Sequence, residues 1–105
     1  MTKRIIDGKR YDSTKATFIG HASSSYQGAN DFRSWAASLY VTKTGNFFLD
    51  GSGGPLTRWA KSCGDGYTDG DGIIALTPED ALEWAEDNLD SNEIEEYFAD
   101  MIADA

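Results

Sequence analysis

Few residues in this 105-residue chain belong to the types that make or break bonds: it has one His, His21, and one Cys, Cys63. A thiolate–imidazole pair would have to join those two, and a serine nucleophile would need His21 as its base. Ser and Asp are plentiful, so His-Ser-Asp combinations exist on paper, but His21 precedes a Ser-rich loop with no strained nucleophile turn. Carboxylates abound, yet acid/base catalysis needs one held in a buried site with a shifted pKa. The acids here fall on what the pattern predicts to be exposed helix surface. These residues predict a binding protein rather than an enzyme. A small His21-dependent enzyme is the lesser alternative, and Cys63 is expected to pack. A lone Cys forms no intrachain disulfide, which fits a reducing compartment.

Two loops invite ligand readings. Asp65, Asp69 and Asp71 suggest calcium, and in an EF-hand register from Asp65 both Asp69 and Gly70 fall correctly. Tyr67 stands where the third ligand belongs, however, and Leu76 where the bidentate Glu belongs. The expectation is a Gly/Asp turn and no resident metal or cofactor; a metal-modulated or adaptor binding module remains an alternative. Gly51-Ser52-Gly53-Gly54 resembles a phosphate cradle but lacks the Gly-Lys-Ser/Thr of a Walker loop. A tight strand-to-helix turn is the expected use of those glycines.

Charge carries more information. The formal net charge is −9, from nine bases and eighteen acids, and it disfavours direct nucleic-acid binding. Residues 1–45 hold seven bases and three acids, whereas residues 46–105 hold two bases and fifteen acids. The last 29 residues carry eleven acids and no base. Neighbouring carboxylates at i and i+4 on a helix repel by a few tenths of a kcal/mol, and Asp100 and Asp104 lie near the negative end of the last helix. Solubility is one use for such a face; docking onto a basic groove is the other. The candidate partner-binding residues are Glu83, Glu86, Asp87, Asp90, Glu93, Glu96 and Asp100. Asp65, Asp69 and Asp71 form a second patch, and Tyr26 of the Ser-rich loop is an aromatic contact.

The elements that must hold these groups are legible in outline. Asp7-Gly8 between Arg4-Ile5-Ile6 and Lys9-Arg10-Tyr11 predicts a hairpin. Ala16 to Gly20 is a further strand and residues 23–30 a loop. Leu39 to Thr42 and Phe47 to Leu49 flank a turn over Lys43-Thr44-Gly45-Asn46, and all these strands are expected in one antiparallel sheet. Gly51 to Pro55 reads as a flexible turn opening a short helix over Leu56 to Ser62. Cys63 to Gly72 reads as a loop and Ile73 to Leu76 as a buried strand. Thr77-Pro78-Glu79-Asp80 starts a helix with an N-cap, a proline and acids in its first turn. Its apolar stripe is Ala81, Leu82, Ala85 and Leu89, with Trp84 alongside. Asp90 to Asn92 recap the chain, and Ile94, Tyr97, Phe98, Met101 and Ile102 give the second stripe. Glu93, Glu96, Asp100 and Asp104 run along a separate face. Trp35, Trp59, Trp84, Phe47, Phe48, Tyr97 and Phe98 are expected between sheet and helices. The fold class predicted is α+β in one domain: three to five antiparallel strands against one short and two acidic C-terminal helices. No run approaches the roughly 18 apolar residues of a membrane span, and no signal-peptide apolar region follows Met1-Thr2-Lys3-Arg4. A cytoplasmic protein without a membrane partner is expected.

Taken together, Ile6, Gly8-Lys9-Arg10-Tyr11-Asp12, Asp31-Phe32-Arg33, Leu39-Tyr40, Thr42-Lys43 and Gly45-Asn46-Phe47-Phe48-Leu49 carry a resemblance, continued by Gly51, Gly53-Gly54-Pro55, Ile73-Ile74, Leu76-Thr77, Ala81 and Glu83-Trp84. These segments resemble a small family of acidic proteins from phages and other mobile elements that includes anti-CRISPR proteins. The chain departs from that pattern at Phe47, where Trp is expected, and at Ser52, where an acid is expected. The resemblance implies an inhibitor in a bacterial host cell that binds subunits of a CRISPR effector complex, type I favoured. It would act by covering the Lys/Arg patches that hold DNA or guide RNA, with no catalytic residues. An apolar strip beside the acids is compatible with a homodimer.

Overall fold

Turn chemistry and strand alternation account for the first half of the chain in the computed structural model, which describes residues 3–23, 35–54, 57–64, 66–68 and 70–104. Strands β1 (Lys3–Ile6) and β2 (Lys9–Asp12) pair antiparallel with Ile6 opposite Lys9. Asp7 and Gly8 both take positive φ, 51° and 77°, as a two-residue hairpin turn of this hand requires. Asp12 then accepts from the backbone N–H and the hydroxyl of Thr14 at 2.9 and 2.7 Å, closing the next turn. These two bonds, the hydroxyl's foremost, hold the Asp12 carboxyl below its ordinary pKa. A depressed folded-state pKa contributes stability above the ordinary carboxylate range, and that stability is lost as pH falls through the lowered value. Asp12→Asn should therefore flatten the acid limb of a urea-midpoint-against-pH curve slightly; an unchanged limb would remove Asp12 as a contributor.

The main sheet contains β3 (Thr17–Ser23), β4 (Trp35–Val41), β5 (Phe47–Gly53) and, after the small hairpin of β6 (Lys61–Cys63) and β7 (Gly66–Thr68), β8 (Gly70–Leu76). Its order is β3-β4-β5-β8, antiparallel throughout, so β6 and β7 form a separate excursion. A bulge between Phe18 and Gly20 shifts the register of β3 on β4. The extra residue lets both Ile19, which is buried, and Gly20, which lies against Leu89, face the same side. Helices α1 (Pro78–Asn88) and α2 (Ser91–Phe98) follow, then a 3-10 turn over Ala99–Met101. Thr77 caps α1 by accepting from the Asp80 N–H, with Pro78 at the first helical position. No helix among the described residues is long and apolar enough to cross a membrane.

Alternation divides the sheet into two cores. Ala37 and Leu39 of β4 and Phe47 and Leu49 of β5 meet Ala81, Ala85 and Phe98 of the helices. Phe47 and Phe98 stack, with centroids 5.1 Å apart. On the opposite face Phe48 and Ile73 pack with Tyr11 under the β1-β2 hairpin. Arg4 Nη1 donates to the Ile73 carbonyl at 3.0 Å and ties that hairpin to the sheet.

The chain is α+β with a four-stranded antiparallel sheet and two C-terminal helices, as the sequence predicts, with local corrections. The N-terminal hairpin is its own two-stranded sheet rather than part of a single one. Phe48 lies beneath that hairpin and not between sheet and helices, because it alternates away from Phe47 and Leu49. The predicted helix over 56–62 does not form. Thr57 and Trp59 lie in a tight turn closed by Thr57 N–H to Gly54 O and Ala60 N–H to Thr57 O, and Lys61–Cys63 is strand. Nor is the 63–72 segment wholly loop, since it holds β7 and the start of β8.

The glycines of β5 explain why the turn reading of 51–53 fails. They are strand residues that seat the buried Trp59 indole. A Cβ on Gly51 would stand 2.8 Å from Trp59 Cζ2, and one on Gly53 would stand 2.9 Å from Trp59 Cδ1. At Gly51 it would also come within 2.5 Å of the Ala36 carbonyl oxygen, which is backbone and cannot swing aside. Gly51→Ala should thus cost roughly 1–3 kcal/mol as an overpacking change, read as a lower urea midpoint at constant slope. An unchanged midpoint would mean that the indole does not sit on this strand.

Candidate functional site

An α-helix turns once per 3.6 residues, so spacings of three and four gather side chains along one side. In α1, Glu79, Asp80, Glu83, Glu86 and Asp87 fall within about a third of the circumference on this geometry, and Asp90 lies beyond the helix in extended backbone. All five helical acids are exposed, as is Asp90. The apolar stripe on the other side, with Ala81 and Ala85 fully buried, fixes which way they face. No Lys or Arg follows Lys61 in the chain, so neither helix can supply an internal counter-charge.

The acids differ in what they do locally. Asp90 is the N-cap of α2: its Oδ1 accepts from the Glu93 N–H at 2.9 Å, while Glu93 Oε1 accepts from the Asp90 N–H at 3.4 Å. This reciprocal capping box commits Asp90 and Glu93 to holding the helix start. Its signal, Asp90-Ser91-Asn92-Glu93, is present in the sequence. Glu93 is also half-buried, lying beside Gly20. Glu83, Glu86, Asp87 and Glu96 are exposed on the helices. Asp100 is exposed in the 3-10 turn, because α2 ends at Phe98, and Asp104 lies beyond the helix altogether. The second acidic ridge is therefore shorter than its spacing suggests. Glu95, absent from the predicted set, is exposed on a different flank of α2 from Glu93.

One flank of the acidic side of α1 borders a hollow of about 290 Å³ lined by Arg58, Leu76, Trp84 and the carboxylates Asp80, Glu83 and Asp87. Arg58 offsets the acids there. Asp71 is not part of the ridge: on β8, two residues before Ile73, it shares that residue's hairpin-side face of the sheet, and it pairs with Lys61 at 3.4 Å. That pair is exposed at both ends and contributes little. Asp65, Asp69 and Tyr26 lie outside the described residues, as does most of the 23–30 loop, and the side chain of Cys63 is not described. Among the described residues no three His, Cys, Asp or Glu side chains converge as metal ligands.

His21 does acquire a partner. Its Nδ1 is 2.9 Å from Ser38 Oγ, directly across the β3-β4 pair, and Ser38 stands opposite Asp50 on β5. The cross-strand order is His, Ser, Asp. In a nucleophilic triad the imidazole lies between the other two, so that the carboxylate holds the ring nitrogen that does not face the nucleophile. Here the serine occupies the middle. On the same face, burial, reinforced by the Asp50 charge, pushes the Tyr40 phenol up.

The sheet separates charge as well as cores. Lys3, Arg4, Lys9 and Arg10 belong to the hairpin on one side, and the acidic helices cover the other. The hairpin carries these four bases against Asp7 and Asp12, whereas the helices carry acids and no base. Comparison with known proteins found no match to this chain among family models, curated proteins or solved structures.

Proposed function

We propose that this protein is a non-catalytic inhibitor of the anti-CRISPR type, which lays its acidic helical face on the basic surface of a nucleic-acid-guided effector complex and blocks nucleic-acid binding there. The observation that carries the reading is the gathering of exposed carboxylates on one side of α1, continued on α2, with no cation after Lys61. Such a surface costs helix stability through like-charge repulsion, a cost that is offset where the acids meet Lys and Arg. The absence of bases from the acidic helices, with four of them on the hairpin across the sheet, supports it, since local charge steers approach to a positive partner. The resemblance to acidic phage proteins narrows the partner to protein subunits of a CRISPR effector complex, with multisubunit type I complexes favoured.

The test is competition. A purified type I effector complex is incubated with labelled target DNA and increasing amounts of the protein, at roughly 50 and 200 mM salt. The expected result is displacement of DNA that weakens with salt. DNA binding unaffected at saturating protein, or displacement indifferent to salt, would overturn the reading.

The His21–Ser38 contact favours a second reading, catalysis through His21 with Ser38 as nucleophile. Both side chains are on the sheet face away from the helices, so His21→Ala and Ser38→Ala are expected to leave DNA displacement within about twofold of the unsubstituted protein, as surface changes remote from the contact do. Loss of displacement by either variant with its circular dichroism intact would transfer the function to this pair.

A further inference from the structure

Beside the acidic ridge, α1, α2 and the turn that follows them enclose a groove of about 470 Å³. Leu82 of α1, Leu89 between the helices and Ile94 of α2 line it, together with Met101 and Ile102, which are 37 % and 41 % exposed. Two large apolar side chains left this open at adjacent positions extend the apolar lining to the surface. Each helix also contributes an exposed carboxylate to the wall, Glu86 from α1 and Glu95 from α2.

We propose that this groove receives a short basic amphipathic helix of the partner, with its apolar face on the leucine and isoleucine lining and its Lys or Arg side chains at Glu86 and Glu95. The inference rests on the reading above, that the acidic helices meet a basic partner, and goes beyond it by placing apolar anchors between the charges. Charge complementarity selects the occupant. A second copy meeting through this same face would bring two acidic helix pairs together, with no Lys or Arg in either chain after residue 61 to offset them. A basic amphipathic helix satisfies the lining and the wall at once, with anchors at i, i+4 and i+7. Leu82 and Glu86 are themselves one turn apart, so an apolar contact and an ion pair recur at matching intervals along both helices.

The probe is a synthetic peptide of about 16 residues, long enough to form a helix on docking, with Leu at i, i+4, i+7 and i+11 and Lys and Ala elsewhere. Titration by fluorescence anisotropy should show binding that drops roughly tenfold or more when Leu is replaced by Ser, or Lys by Glu. The variant carrying Met101→Ser and Ile102→Ser, both exposed and so tolerant of change, should lose binding to a similar degree with its circular dichroism unchanged. Glu86→Gln with Glu95→Gln should lose several-fold at low salt and less at high salt. The proposal is overturned if the Met101/Ile102 variant binds the peptide as the unsubstituted protein does, or if the Glu-containing peptide binds equally well. It is overturned equally if sedimentation shows a dimer that this variant abolishes, since a second copy then fills the groove. Should the Ser-containing peptide bind as tightly as the Leu form, the groove assignment fails while the acidic-face reading survives. If neither basic peptide binds at low salt, both fail.

Discussion

Replacing Glu83, Glu86, Asp87, Glu96 and Asp100 together by Gln or Asn is expected to weaken the complex with a basic effector surface on the order of 50- to 100-fold. The fold should stay as stable as before, or become slightly more so. Exposed ion pairs at an interface rim contribute about 0.5 kcal/mol each, so five of them amount to about 2.5 kcal/mol, and each 1.4 kcal/mol is about tenfold in affinity. All five side chains are exposed. Neutralising them removes like-charge pairs worth a few tenths of a kcal/mol each. Asp90 and Glu93 are left out deliberately, since their capping box holds the start of α2 and their loss would confuse binding with folding. Calorimetric affinity and urea midpoints on the same samples separate the two quantities. An affinity within twofold of the unsubstituted protein would show that the acids serve solubility alone, and the proposed function would fall. The same variant should also lose most of the salt dependence of the complex, because that dependence comes from the charges removed.

The parts of this fold that the sequence announces are those whose determinants are local. Asp7-Gly8 requires positive φ, Thr77-Pro78 supplies a cap and a preset dihedral, and both produce the expected element at the expected place. The segment 51–63 misleads because its determinant is distant. Gly-Ser-Gly-Gly has the composition of a turn, yet the glycines are there to admit Trp59 onto a strand, a contact made only after the chain has folded back. The side on which Phe48 lies is set by the register of β5 against β4 and β8, which composition does not encode. For the site, the acids of α1 were readable from helical periodicity, and the structure leaves them on one exposed side. What periodicity could not say is that Asp71 lies on the opposite face of the sheet, or that Asp90 and Glu93 bond each other's backbone. Glu95 breaks the spacing of the ridge, and its place follows instead from the groove between the helices, which it lines.

Two aromatic truncations of similar cost should have opposite consequences for binding. Phe98→Ala and Phe48→Ala each remove a side chain no more than 1 % exposed, and each should cost about 3–5 kcal/mol. That is a large share of the roughly 5–15 kcal/mol available to a domain of this size, so both are best studied in the cold. Phe98 stacks on Phe47 at an interplanar angle of 13° and is the buried residue of α2. Without it α2 loses its anchor on the sheet, and with it the wall carrying Glu95 and Glu96. Phe48 stacks on Tyr40 at 5.2 Å and meets the edge of Tyr11 at 5.5 Å, on the far side of the sheet. Its removal should loosen the β1-β2 hairpin and leave the helices seated. Amide exchange should therefore quicken in residues 91–98 of the first variant and in residues 3–12 of the second. In samples shown to be folded, Phe48→Ala should bind a basic partner nearly as the unsubstituted protein does, whereas Phe98→Ala should bind at least tenfold more weakly, the loss expected when a charged wall is no longer preorganised. Equal losses in both would mean that the binding surface is not confined to the helical side, and unequal losses in the reverse order would place it on the basic hairpin.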